Sequence, residues 1–180
     1  MTEPEGPADG PRGAVSAPRA AVIGIGNPYR RDDGIGPALV AALERLRPPG
    51  VSLTVADGEP SQLLDAWSGA PLAVVVDAVL CEVPAPGRIH RTALGPVVAG
   101  AVVAGAGSRA AASTHGLGIP DAIRLAEVLG QAPGRLVVMA VEAADIGFGL
   151  GLSPAVAACL PELTRAVLAE LAADHQAAGG

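Results

Sequence analysis

The chain is nearly devoid of aromatic residues, with one Trp, one Tyr and one Phe among 180. A core of packed rings is thereby excluded, and the interior has to be assembled from Ala, Val, Leu and Ile, within a hydrophobic share of 50%. Cysteine is almost as scarce. Cys81 and Cys159 lie far apart with no C-x-x-C spacing, which argues against a disulfide scaffold, fits a reducing cytosol, and leaves both as ordinary small residues of core or surface. Positive charge is also short: Lys plus Arg total 12 against 18 acidic residues, a net charge of −6, and no basic cluster is dense enough to attract nucleic acid. The uncharged stretch Leu94 to Gly107 falls short of the about 20 apolar residues of a membrane span. The first 18 residues lack both the basic start and the apolar centre of a signal peptide. These absences lead us to expect a cytoplasmic protein with neither a nucleic-acid nor a membrane partner.

What is present is strong apolar periodicity. The 24 Gly and 17 Pro together stay below the share of roughly 25–30% that signals disorder, and the length suits one domain of roughly 100–200 residues. Strand-like runs occur at Ala20–Ile25, Val51–Ala56, Leu72–Asp77 and Leu136–Val141, and helical spacing at Ile35–Arg47, Ser61–Ser68, Gly118–Leu129 and Ser153–Ala173. Arg88–Thr92 adds a short edge strand with His90 in its middle. This alternation predicts an α/β fold with a mostly parallel twisted sheet and helices on both faces. The near-continuous apolar runs Ala73–Val76 and Val137–Val141 match strands buried on both sides. Residues 1–18 read as a disordered arm, 19–172 as a single domain and 173–180 as a flexible tail.

The most informative segment runs from Val22 to Pro37, where an apolar strand enters Gly24-Ile25-Gly26-Asn27-Pro28, then Asp32-Asp33-Gly34, and then a helix. Tyr29 occupies the third-glycine position of the dinucleotide fingerprint G-x-G-x-x-G, and no G-x-x-x-x-G-K-[ST] run exists, so nucleotide binding is not expected. In doubly wound sheets, ligands bind beyond the carboxyl ends of the strands. Asp32 and Asp33 follow the first strand, Asp77 ends the third, and Glu142, with Asp145 just beyond, ends another. Ser113-Thr114-His115-Gly116-Leu117-Gly118 then places His115 just before a helix.

Carboxylates with one imidazole suit a transition metal, and two Asp and one His leave coordination positions open. Each residue also has a plainer reading. Asp32 and Asp33 could cap a helix or bind turn N–H groups, His115 could be structural, and Glu142 could pair with a nearby Arg. His90 and His175 read as exposed side chains. Ser113, Thr114 and Cys81 make a weak case for a nucleophile, because no G-x-S-x-G elbow is present.

Taken together, Gly24-Ile25-Gly26-Asn27-Pro28 with Asp32-Asp33-Gly34-Ile35-Gly36-Pro37, then Val75-Val76-Asp77-Ala78, Ser113-Thr114-His115-Gly116-Leu117 and Leu152-Ser153-Pro154 closely resemble the hydrogenase maturation proteases, the C-terminal processing endopeptidases of nickel-iron hydrogenases. The resemblance spans about residues 20 to 172, with four motifs in the same order. It implies a three-layer α/β/α sandwich and removal of a C-terminal extension from a large-subunit precursor once nickel is inserted. By the same resemblance, Asp33, Asp77 and His115 contact nickel presented by the substrate, and Asp33 and Asp77 are the candidate catalytic carboxylates. Tyr29, Arg31 and the Ala/Gly-rich stretch 94–107 depart from the family pattern and bear on substrate preference. The other reading is a non-catalytic nickel-sensing or chaperone-like module that binds the large subunit.

Overall fold

A computed structural model describes residues 18–94, 112–113 and 118–178. His115 and most of the expected N-terminal arm lie outside them. The described elements are β1 (Ala20–Ile25), α1 (Ile35–Leu46), β2 (Val51–Ala56), α2 (Pro60–Trp67), β3 (Leu72–Leu80), β4 (Ile89–Leu94), β5 (Ala112–Ser113), α3 (Gly118–Leu129), β6 (Arg135–Glu142) and α4 (Pro154–Ala178). One 3-10 turn, Arg31–Gly34, leads directly into α1. Strand order is β2-β1-β3-β6-β4, with β5 paired to the far end of β3. Pairing is parallel except for β4 on β6 and β5 on β3, so the expected mostly parallel sheet is present, and its edge strand β4 runs antiparallel.

Alternation sorts the sheet into two faces. Val22, Val74, Val76, Val137, Met139 and Val141 pack with Ile35, Leu39 and Leu43 of α1 and Val156, Leu163 and Val167 of α4. Ala21, Ile23, Ile25, Ala73, Val75 and Leu136 pack instead with Leu63, Leu64 and Trp67 of α2 and with Ala122 and Ala126 of α3. The result is three layers. Branched and small aliphatics fill both cores as the composition requires. Trp67 is fully buried, whereas Tyr29 and Phe148 are exposed on loops.

Several boundaries differ from the sequence reading. β3 does not stop at Asp77 but continues to Leu80, because β6 keeps pairing with it as far as Val79 and Glu142. α1 ends at Leu46 when Arg47 turns left-handed at φ 49° ahead of two prolines. α4 passes Ala173 and runs to Ala178, with Pro161 inside it.

Two glycines set how closely α1 approaches the sheet. A Cβ on Gly24 would stand 2.3 Å from the Gly36 carbonyl oxygen, and a Cβ on Gly36 would stand 2.3 Å from the Ile25 carbonyl oxygen. Only bare backbone fits on either side. On the other flank, Glu170 of α4 accepts from Arg91 Nε of β4 at 2.6 Å and also bonds Arg135 at the start of β6. The hydrogen bond from Arg91 and the charges of both guanidiniums hold the Glu170 carboxyl below its usual value against the opposing effect of burial.

Two expectations follow. Gly36→Ala should destabilise the protein by about 1–3 kcal/mol, because the added methyl meets backbone that cannot yield without moving β1; urea unfolding would measure it. A carboxyl whose folded pKa is depressed contributes stability that is present above its unfolded value and lost as pH falls through the folded value. The stability gap between wild type and Glu170→Gln should therefore be widest above about pH 5 and close below about pH 4.3; a gap that widened on acidification would refute the pairing.

Candidate active site

The site edge is built from the turn after β1. Asn27 Oδ1 accepts from Tyr29 N at 2.9 Å, and the Asn27 carbonyl accepts from Arg30 N at 3.0 Å, so the chain curls back at once. Two backbone bonds zip this turn to the β6–α4 connection: Arg31 N donates to Gly149 O at 3.0 Å, and Gly149 N donates to Tyr29 O at 2.9 Å. The turn also packs against β3.

Asp32 is fully buried. Its Oδ2 accepts from Ala144 N at 2.9 Å and Asp145 N at 3.1 Å, and its Oδ1 accepts from Ser153 N at 2.6 Å. Ser153 immediately precedes α4, so this carboxylate stands at that helix's positive end. Asp32 thus binds backbone N–H groups of the β6–α4 connection and of the start of α4. The following helix, α1, has Gly34 at its N-cap and no side-chain cap there.

Asp33 is equally buried, and its Oδ2 accepts from Asn27 N at 2.9 Å. The turn folds so tightly over Gly26 that a Cβ there would lie 1.8 Å from the Asp33 carbonyl oxygen; Gly26 has φ 133°, and the Asp33 carboxyl carbon sits 3.6 Å from that same point. Asp77 is 1% exposed. The β1–β3 ladder ends with Gly24 opposite Val76, so Asp77 is the first residue of β3 beyond that pairing, and farther along Val79 pairs with Ser113 of β5. Asp33 lies on the turn after β1, and Asp77 lies on the strand that pairs with β1, level with the end of that ladder. The described chain before His115 ends at Ser113, beside β3, and resumes with α3 at Gly118.

A further cluster was not legible in the sequence. Glu142 is 2% exposed; its Oε2 accepts from Ala85 N at 2.6 Å, while its Oε1 lies 2.7 Å from His90 Nε2 and 3.7 Å from Arg88 Nη1. The Arg pairing considered for Glu142 is therefore present, but His90 is half-buried and engaged, contrary to its reading as a freely exposed side chain. Burial pushes the Glu142 carboxyl up, but the Ala85 N–H, His90 and Arg88 together outweigh it and hold the group below its usual value. Strand alternation in β4 was the one available signal: His90 pairs with Ala140, two residues before Glu142 in β6, so both side chains leave the same face.

Comparison with known proteins fits this architecture. Residues 37–170 match the family model described as hydrogenase maturation protease. The Hydrogenase 2 maturation protease of Escherichia coli (strain K12) is 27% identical over 157 residues, covering 85% of this chain and 90% of that protein. The solved hydrogenase maturating endopeptidase HybD from E. coli is 26% identical with a TM-score of 0.66, over 85% of this chain and 91% of that one. The [NiFe] hydrogenase maturation protease HybD from Thermococcus kodakarensis shares the fold at 20% identity, with a TM-score of 0.63 over 85% and 98% of the two chains. Fold and relatives together define a peptidase. The chain belongs to the hydrogenase maturation protease family and acts as an endopeptidase in hydrogenase maturation.

The division between the paired aspartates is testable. Asp32→Asn replaces an all-acceptor group by one with two N–H donors facing three backbone donors, and each orphaned buried donor costs about 1–3 kcal/mol. We expect a loss of about 2–4 kcal/mol in urea unfolding; an unchanged midpoint would remove Asp32 from its structural role.

Proposed function

We propose that this endopeptidase removes a C-terminal extension from the large-subunit precursor of a nickel-iron hydrogenase after nickel insertion, and that Asp33, Asp77 and His115 touch the nickel that the precursor carries. The observation carrying this reading is that Asp33 and Asp77 are both buried, one on the turn after β1 and one on the strand that pairs with β1. Carboxylates held away from water gain most from a divalent cation, and imidazole is a normal partner for nickel beside them.

Three protein donors leave coordination positions to be filled by the substrate's own ligands. Such a site is poor at holding metal alone and well suited to testing whether a partner brings it. Nickel is then part of the substrate, and the enzyme distinguishes a loaded precursor from an empty one by the charge it supplies. A carboxylate beside the scissile bond can in addition take the proton of an attacking water. The half-exposed pair between Arg31 Nε and Asp145 Oδ2, 3.1 Å apart on the rim, borders the same turn and adds little energy by itself.

Purified enzyme treated with chelator should cut nickel-loaded precursor and leave nickel-free precursor intact, as read by the mass of the released peptide. Asp77→Asn and His115→Ala should each lose cleavage by at least about a hundredfold while keeping the wild-type melting temperature. Efficient processing of nickel-free precursor would refute the recognition role, and full activity in either variant would remove that residue from the site.

A further inference from the structure

Cys81, His90 and Glu142 each place a donor atom so that the three lie within 4.8 Å of one another. They come from the residue after β3, the middle of β4 and the last residue of β6, three neighbouring strands fixed by the sheet register. Alternation puts them on the face covered by α2 and α3, together with Asp77. Asp77 and His90 both align with Ala140, so their backbones are two strand spacings apart, roughly 10 Å.

We propose that Cys81 Sγ, His90 Nε2 and one oxygen of Glu142 form a binding site for a borderline-soft divalent cation of the Zn2+ class, distinct from Asp33 and Asp77. Donors on a tetrahedral cation stand roughly 3.3–3.8 Å apart, given bonds of about 2.0–2.3 Å. The present spacing brackets that: the His90 to Glu142 contact of 2.7 Å opens slightly and the sulfur closes in. Glu142 is already pre-set, because Ala85 N fixes its other oxygen. Thiol, imidazole and carboxylate are the three ligand types that Zn2+ accepts, and three protein ligands leave a fourth position for water.

Charge and protons balance. Cation binding displaces the proton of the Cys81 thiol to solvent, and His90 turns a lone pair at Nε2 to the metal with its proton on Nδ1. One thiolate and one carboxylate then neutralise the dication. Burial, reinforced by the Glu142 carboxylate, keeps the thiol pKa raised when no cation is bound, so the sulfur stays protonated until a metal competes for it. The Arg88 guanidinium, whose side chain is 62% exposed, is free to swing out to water as the cation replaces it beside Glu142.

Titrating the full-length, chelator-treated protein with Co2+ tests this without any cleavage assay. A thiolate-to-cobalt charge-transfer band in the near ultraviolet should saturate at one equivalent and bleach on adding Zn2+. Cys81→Ser should abolish it and Cys159→Ser should keep it, since Cys159 is buried in α4. His90→Gln should weaken Co2+ binding by at least about tenfold, the scale of loss seen even for outer-sphere partners. Asp77→Asn should retain the band, which separates this site from the proposed nickel contact. With circular dichroism matching wild type in each variant, absence of the band in the wild type, its survival in Cys81→Ser or its loss in Asp77→Asn overturns the proposal.

Discussion

The edge of the sheet depends on one buried carboxylate. Asp32 gathers three backbone N–H groups from the β6–α4 connection and the start of α4, and in doing so fixes that connection to the turn after β1. A hydrogen bond to a charged acceptor is stronger than one between neutral groups, and here three converge where a helix dipole adds to them. The next residue then has no freedom of its own. In a 3-10 turn successive side chains are about 120° apart, so locking Asp32 toward α4 sends Asp33 the other way, over the end of β1. Two identical neighbours thus acquire different duties from a single local geometry.

That geometry exists only because the strand and helix touch through bare backbone. Gly24 and Gly36 leave no side chain between β1 and α1, and Gly26 leaves none beneath Asp33. The glycines therefore set the depth at which the acidic pair lies. A looser approach would let water reach Asp33, and a hydrated carboxylate has little reason to prefer a partner's cation to its solvent.

The parts of the fold written in local pattern were legible. The bounds of β1, β2 and α3 match their apolar spacing, since Gly and Pro punctuate each of them. A charge after Val74-Val75-Val76 looks like an exit from the strand, yet β3 runs on past Asp77, because strand length is decided by partners: β6 continues alongside and β5 pairs with its far end. Asp33 and Asp77 draw notice in the sequence because a charge beside an apolar strand requires explanation, and both are buried in the structure. The Cys81, His90 and Glu142 cluster does not, since its members meet only through the register of three strands, and the pairing of β4 with β6 is not encoded in either segment alone.

The two acidic regions ask different things of a cation. Around Asp33 and Asp77 the described donors are oxygens, which hold hard cations or share a transition metal that another ligand set already grips. At Cys81 a sulfur joins an imidazole and one carboxylate, a softer set that favours a cation for itself. Asp77 and Cys81 follow one another along the β3 run, four residues apart; His90 and Glu142 reach the sulfur from β4 and β6 on one side of β3, whereas Asp33 lies on the turn after β1 on the other. Under the two proposals, selectivity would follow from the backbone: a cation that prefers thiolate would be held on the β6 side of β3, and the two carboxylates would be left to metal arriving on a protein substrate.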